Sequence, residues 1–184
     1  CVDAFNIPQI EIEGYEADDI IATYCKLAEE QKSESIIVSS DKDLMQLVNK
    51  QVTMLDPMKN KKIGIDQVIE KFGLPPEKVV QIQALTGDKV DNIPGAPGIG
   101  PKTALLLIEE FGDVNNLILN ANKIEQEKRR NVIINHKDEI LISLELVKLK
   151  TDIELSLKID DIHTYSSIEK NENLLKFLSK QGFK

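Results

Sequence analysis

Seven carboxylates fall in three short stretches of this chain: Glu16, Asp18 and Asp19 in "GYEADD", Asp41 and Asp43 in "SSDKDLMQLV", and Asp88 and Asp91 in "TGDKVDNIPG". Each stretch has a plain structural reading by itself. Acids in a first helical turn are stabilised by the macrodipole and by capping. Ser40 and Asp43 are spaced as a capping box, with Asp in place of the usual Glu or Gln. Asp91 can cap a short turn. Together the seven carry a charge close to the whole formal net charge of −8. If the fold gathers them, like-charge repulsion raises their pKa values unless cations intervene. Few basic residues stand close by in sequence. Hard divalent cations would serve, and an oxygen-only donor set suits Mg²⁺ or Mn²⁺. Two such ions about 3.5–4 Å apart clamp the attacking and leaving oxygens of a phosphodiester.

The third stretch continues into "IPGAPGIGPKTA". Gly95, Gly98 and Gly100 are expected to take positive φ and to let backbone approach a ligand. Pro101 starts a helix whose free N–H groups face the loop, an arrangement that binds phosphate. Lys102 and Thr103 add a charge and a hydroxyl. The spacing is not that of a P-loop. It suits a helix–hairpin–helix over about 85–111 that grips a duplex backbone without reading bases, or else an ordinary tight helix–helix turn. The hairpin would then hold a duplex phosphate while the metal-loaded carboxylates face the phosphate to be cut.

Composition limits the alternatives. Hydrophobic residues make up 41% of 184, so the chain can build a core. No apolar run reaches the roughly 18 residues of a membrane span, and no signal-peptide pattern occurs. With 31 acids against 23 bases, the chain is no simple DNA-coating protein. Aromatics at 4% and the lack of tryptophan argue against a single-strand stacking platform. Cys1 and Cys25 make neither a disulfide framework nor a metal motif, which points to a reducing cytosol. Charge is uneven: residues 123–137 hold five Lys or Arg against two Glu. That segment is either a solvated helix face or a second phosphate contact.

The elements that must position these groups read as follows. Residues 9–12 are expected to form a short strand after the end of a helix, and 17–31 a helix. The β-branched run 35–40 has the character of a buried parallel strand, with a short helix at 42–48 and a strand at 51–55. That is a βαβ unit, hence an α/β fold with a parallel sheet. The remainder reads as helices at 65–72, 77–85, 101–111, 114–119, 127–146 and 174–180, with a strand or extended piece at 153–157. The two or three strands are too few for a doubly wound core, so the chain is expected to begin in mid-fold with a sheet edge open to pairing.

"GYEADD", "SSDKDLMQLV" and "TGDKVDNIPGAPGIGPKTA" resemble the 5′-nuclease domain of bacterial DNA polymerase I, a family related to flap endonucleases. The resemblance covers essentially the whole chain. It implies a PIN-like α/β core over 1–75, truncated, and a mostly helical duplex-binding region over 76–184 with the helix–hairpin–helix. It implies two Mg²⁺ or Mn²⁺ ions held by Glu16, Asp18, Asp19, Asp41, Asp43, Asp88 and Asp91, with Asp19, Asp41, Asp43 and Asp88 catalytic. It implies duplex contacts from Gly95, Gly98, Ile99, Gly100, Lys102 and Thr103, with a monovalent cation at the hairpin in some relatives. Its substrates would be double-stranded DNA with a 5′ flap or nick and RNA primer–DNA hybrids, in the bacterial cytoplasm at the nucleoid. A polymerase domain would follow, and no membrane is involved. The family's first-strand aspartate, a further aspartate and its basic helical arch have no counterpart here. The 184 residues alone are therefore expected to be weakly active or inactive, and a non-catalytic duplex-binding module is the alternative.

Overall fold

In a computed structural model, which describes residues 2–5, 7–162 and 171–183, Ser35–Val38 (β1) and Val52–Asp56 (β2) pair in parallel. Ser35 lies opposite Val52 and Val38 opposite Leu55. Lys61–Ile63 (β3) adds an antiparallel third strand, with Met54 opposite Ile63, in the order β1-β2-β3. The sequence reading contains no strand at 61–63. Three residues, two of them exposed lysines, carry too little alternation to signal a strand.

The helix Ala17–Glu30 (α1) turns Ile20, Thr23, Cys25 and Ala28 inward. Cys25 is a buried free thiol whose pKa burial pushes up to about 11; Cys1 lies outside the described residues. A 3-10 turn, Asp43–Leu47, takes the place of the short helix expected at 42–48. Met54, Val52, Val68, Leu44 and Val79 form the core beneath the sheet, closed by Ile65–Phe72 (α2), which ends at Gly73.

The helical half follows as Val79–Thr86 (α3), Pro101–Phe111 (α4) and Val114–Leu119 (α5). It continues as Glu127–Asn135 (α6), Lys137–Val147 (α7) and Glu172–Lys180 (α8). Asp113 caps α5 by accepting the Asn116 N–H at 2.7 Å. A second core joins Leu85, Ile108, Leu117, Ile133 and Ile140, and Phe72 packs against both cores. Among the described residues, no helix is long and apolar enough to cross a membrane.

Several expectations need correction. Residues 9–12 form no strand, because no neighbouring strand offers a ladder and Ile10 and Ile12 are only half-buried. Residues 3–5 form only a 3-10 turn, and 153–157 run without ladder partners. The strand β1 is not covered on both faces: Ile36 is 67% and Val38 63% exposed, and only Ile37 is buried. The helix expected over 127–146 breaks at His136, whose φ and ψ are −114° and 24°. The helix α7, which buries Ile140, Ser143 and Val147, lies along α3, whereas α6 packs on the turn at 121–123. One straight rod cannot follow both directions.

Candidate functional site

The three acidic stretches sit at three kinds of chain junction. Glu16 is the N-cap of α1, yet its side chain makes no capping bond. Asp41 and Asp43 follow the carboxyl end of β1, where ligands gather in α/β sheets. The capping box expected from Ser40 does not form: the N-cap of the 3-10 turn is Lys42, without a side-chain cap. Instead Asp41 Oδ1 accepts the Asp43 N–H at 2.9 Å, and Ser39 Oγ accepts the Asp41 N–H at 3.0 Å. Asp88 and Ile93 form an antiparallel bridge that closes the loop carrying Asp91. The loop is capped by Asp88 rather than by Asp91, because Asp88 Oδ1 accepts the Val90 N–H at 2.8 Å.

Glu16, Asp18, Asp43 and Asp91 line one open cleft, floored by Ile93, Leu146, Val147 and Leu149. Carboxylates from all three stretches thus share a wall. Burial pushes Asp18 up from 3.8 to about 6, with the charges of Asp41, Asp43, Glu16 and Asp19 adding to it. Asp43 is raised by burial and by Asp41, against a hydrogen bond from Gln83.

A second cleft continues from Asp43 to Lys42, Lys71, Gln83, Thr86 and Asp88, bounded by Pro101 at the start of α4. Lys42 pairs with Asp88, and this hydrogen bond holds the Asp88 carboxyl below its usual range. A cation is therefore closer at hand than the sequence reading allowed. Asp19 Oδ1 accepts the Lys150 N–H at 2.9 Å, tethering α1 to the segment after α7, while its charge still bears on Asp18.

This donor set suits a hard divalent ion. It offers carboxylate oxygens only, and the crowding that lifts Asp18 is what a bound cation would relieve. Among the described residues, no three such side chains yet converge closely enough to hold one ion. Coordination would require the cleft walls to draw in.

The hairpin is built differently from its sequence reading. Gly87 and Gly95 lie back to back with φ of 66° and 60°. A Cβ on Gly95 would stand 2.4 Å from the Gly87 nitrogen, so this glycine serves internal packing rather than approach to a ligand. Its N–H donates to Ser143 Oγ of α7 at 2.9 Å. Ile99 is 5% exposed in the helical core, and its N–H donates to Ala96 O at 3.0 Å. Gly100 has φ of −93°, not a positive value, and is the N-cap of α4. Among the described residues, the N–H groups of Gly98, Gly100 and Lys102 have no acceptor. Gly98 and Thr103 line a cleft with Lys128 and Arg129 of α6. Arg130 faces inward, its Nη1 donating to Ile124 O at 2.9 Å.

Sequence reasoning missed Gln83, whose Nε2 donates to Asp43 Oδ1. One sign was present: a glutamine set among Val79, Ile82, Ala84 and Leu85 on a buried helix. It also missed the Lys42–Asp88 pair and Ser143, which no local pattern announces.

Two family models match the chain: a 5′-3′ exonuclease N-terminal resolvase-like domain over residues 1–73, and a 5′-3′ exonuclease C-terminal SAM fold over 74–171. DNA polymerase I of Rhizobium leguminosarum is 57% identical over 157 residues, 85% of this chain and 16% of that protein. The 5′-3′ exonuclease of Aquifex aeolicus is 40% identical over 157 residues, 85% of this chain and 53% of its own length. The chain thus spans about half or less of these relatives. A solved structure of T5 5′-exonuclease with bound divalent zinc superposes with a TM-score of 0.74 at 28% identity, over 81% of this chain and 57% of that one. The catalytic core of Rad2 in complex with a DNA substrate shares the fold, with a TM-score of 0.59 at 16% identity, over 98% of this chain and 61% of that one.

Proposed function

The chain belongs to the 5′-3′ exonuclease family, and from that membership we propose that it is part of a metal-dependent, structure-specific 5′-nuclease domain of the DNA polymerase I type. Residues 1–75 form part of the nuclease core and 76–184 the duplex-binding region. Its substrates are duplex DNA with a 5′ flap or nick and RNA primers on DNA, in the bacterial cytoplasm, with a polymerase domain in the same protein.

The observation that carries this reading is the shared cleft: carboxylates from three separate stretches, with Asp18 lifted to about 6 by burial and uncompensated like charge. Glu16, Asp18, Asp43 and Asp91 of this cleft, with Asp88 of the adjoining one and Asp41 beside them, would hold two Mg²⁺ or Mn²⁺ ions. Such ions supply a water activated for in-line attack on a phosphodiester and charge stabilisation of the leaving oxygen. Asp19 acts one step back, by fixing α1 against Lys150.

The duplex is held by the hairpin. The N–H groups of Gly98, Gly100 and Lys102, without acceptors among the described residues, face phosphates together with the Thr103 hydroxyl and the Lys102 ammonium, and Lys128 and Arg129 extend the grip across the cleft. These contacts fix register without reading sequence. A monovalent cation at the hairpin would be held by carbonyl oxygens of that loop and would add positive charge for a phosphate. Because α4 starts at the edge of the cleft that carries Asp43 and Asp88, a strand held by the hairpin is led toward the carboxylates.

The test is release of a labelled 5′ flap by the full-length protein that carries this segment, with and without Mg²⁺. We expect Mg²⁺-dependent cleavage, reduced at least about a thousandfold by Asp43→Ala. Cleavage that survives Asp43→Ala, or duplex binding with no cleavage at all, would leave only a gripping module.

A further inference from the structure

The helix α3 buries Val79, Ile82, Ala84 and Leu85, and among them Gln83, only 7% exposed. Its amide nitrogen donates to Asp43 Oδ1 on the turn after β1. Its carbonyl oxygen is buried and has no donor among the described residues. An orphan buried acceptor lowers stability, so this glutamine is a poor choice for filling a core. A methionine would occupy a similar volume without that cost. What the glutamine does supply is a neutral donor aimed at one carboxylate.

Asp43 is where the two acidic clefts meet, since it lines both. The 3-10 turn places its backbone, and its N–H is held by Asp41 Oδ1. Its side chain has one oxygen on Gln83, and the other has no donor among the described residues. Held in this way, the free oxygen has a restricted set of positions beside Glu16, Asp18 and Asp91. A carboxylate left to rotate would have to be ordered at the moment an ion binds, at a loss of affinity.

We infer that Gln83 is a positioning residue: reaching across from the helical region, it fixes the Asp43 carboxylate and so sets the affinity of the cleft for a divalent cation. The inference rests on the metal-site reading above and adds a part that the acidic residues do not contain. It also ties the carboxylate cleft to α3, which packs against α4 and α7 and carries the loop bearing Asp88 at its end. The hydrogen bond therefore couples the ion site to the duplex-gripping half through one side chain.

The experiment is titration calorimetry with MnCl₂ on the full chain, for wild type, Gln83→Met, Asp43→Asn and the double variant, with thermal unfolding of each. Loss of a group that orients a ligand typically costs about 10- to 100-fold in metal affinity. Gln83→Met is expected to weaken Mn²⁺ binding by that factor while its Tm holds or rises, because the orphan acceptor is gone. In the Asp43→Asn background the same substitution is expected to change nothing further, since its effect passes through Asp43. Unchanged Mn²⁺ affinity in Gln83→Met overturns the inference while leaving the metal site standing. So does an equal loss in both backgrounds, or a fall in Tm, each of which makes Gln83 a packing residue. Absence of saturable Mn²⁺ binding by wild type removes the metal-site reading and this inference with it.

Discussion

Replacing Asp18 with Asn separates a ligand cleft from a set of helix caps, because the two readings demand opposite signs. As a first-turn acid, Asp18 would stabilise α1 through the macrodipole, and Asn would cost about 0.3–1 kcal/mol. The cleft predicts a gain. Folding moves this carboxyl from 3.8 to about 6, chiefly by burial and then by Asp41 and Asp43. A folded-state pKa above the unfolded value means that the native protein binds the proton more tightly. The destabilisation is therefore fully present above about 6, is relieved as pH falls, and is gone below 3.8. The full shift corresponds to roughly 3 kcal/mol. The side chain is only half-buried, so solvent screening reduces this to about 1 kcal/mol. For a chain of this size, that raises Tm by roughly 2–4 °C. The assay is thermal unfolding followed by circular dichroism at pH 7.5 and pH 4.5, in low salt, with and without Mg²⁺. Asp18→Asn should melt higher than wild type at pH 7.5, and the gap should narrow at pH 4.5. It should also narrow when Mg²⁺ is added, because the ion relieves the same repulsion in wild type. A variant that melts lower at pH 7.5, or a gain independent of pH and Mg²⁺, would refute the charge-crowding argument and return Asp18 to the role of a helix-end acid.

Three further outcomes test the proposed duplex grip. Gly95→Ala should destabilise by about 2–4 kcal/mol in urea unfolding, from left-handed backbone strain and from contact with the immovable Gly87 backbone; a loss under 1 kcal/mol would contradict the back-to-back packing. Lys128→Ala with Arg129→Ala should lower the salt slope of duplex binding by about 2, measured by anisotropy across a salt series. Arg130→Ala should leave that slope unchanged and lower Tm, since its guanidinium is bonded to Ile124 O. An unchanged slope in the first pair would make α6 a solvated face.

Much of the architecture was legible along the chain because it is encoded locally. The proline that opens α4 marks that element within a few positions. The parallel pair β1 and β2 follows from a β-branched run and a second strand flanking a short turn. Pairing beyond those two strands was not legible. Whether 9–12 becomes a strand, or 61–63 does, depends on what lies beside it, and that is a property of the fold. The break at His136 belongs to the same class, since it follows from where α3 and the 121–123 turn stand.

The acidic residues were identified by type and spacing, and so was the glycine-rich hairpin with its lysine and threonine. Sequence by itself therefore determined the donor types on offer: carboxylate oxygens, backbone N–H groups, a lysine and a threonine. The tertiary structure decided how they are arranged. It put Glu16, Asp18, Asp43 and Asp91 on one wall, turned Asp19 toward Lys150 and gave Asp88 to Lys42. It sank Ile99 and Gly95 into packing, and brought Gln83 to Asp43 and Arg129 to the hairpin. The reason is physical. Residue type fixes what a group can bind, whereas charge coupling and hydrogen bonding fall off within a few ångströms, and only the folded chain sets those distances.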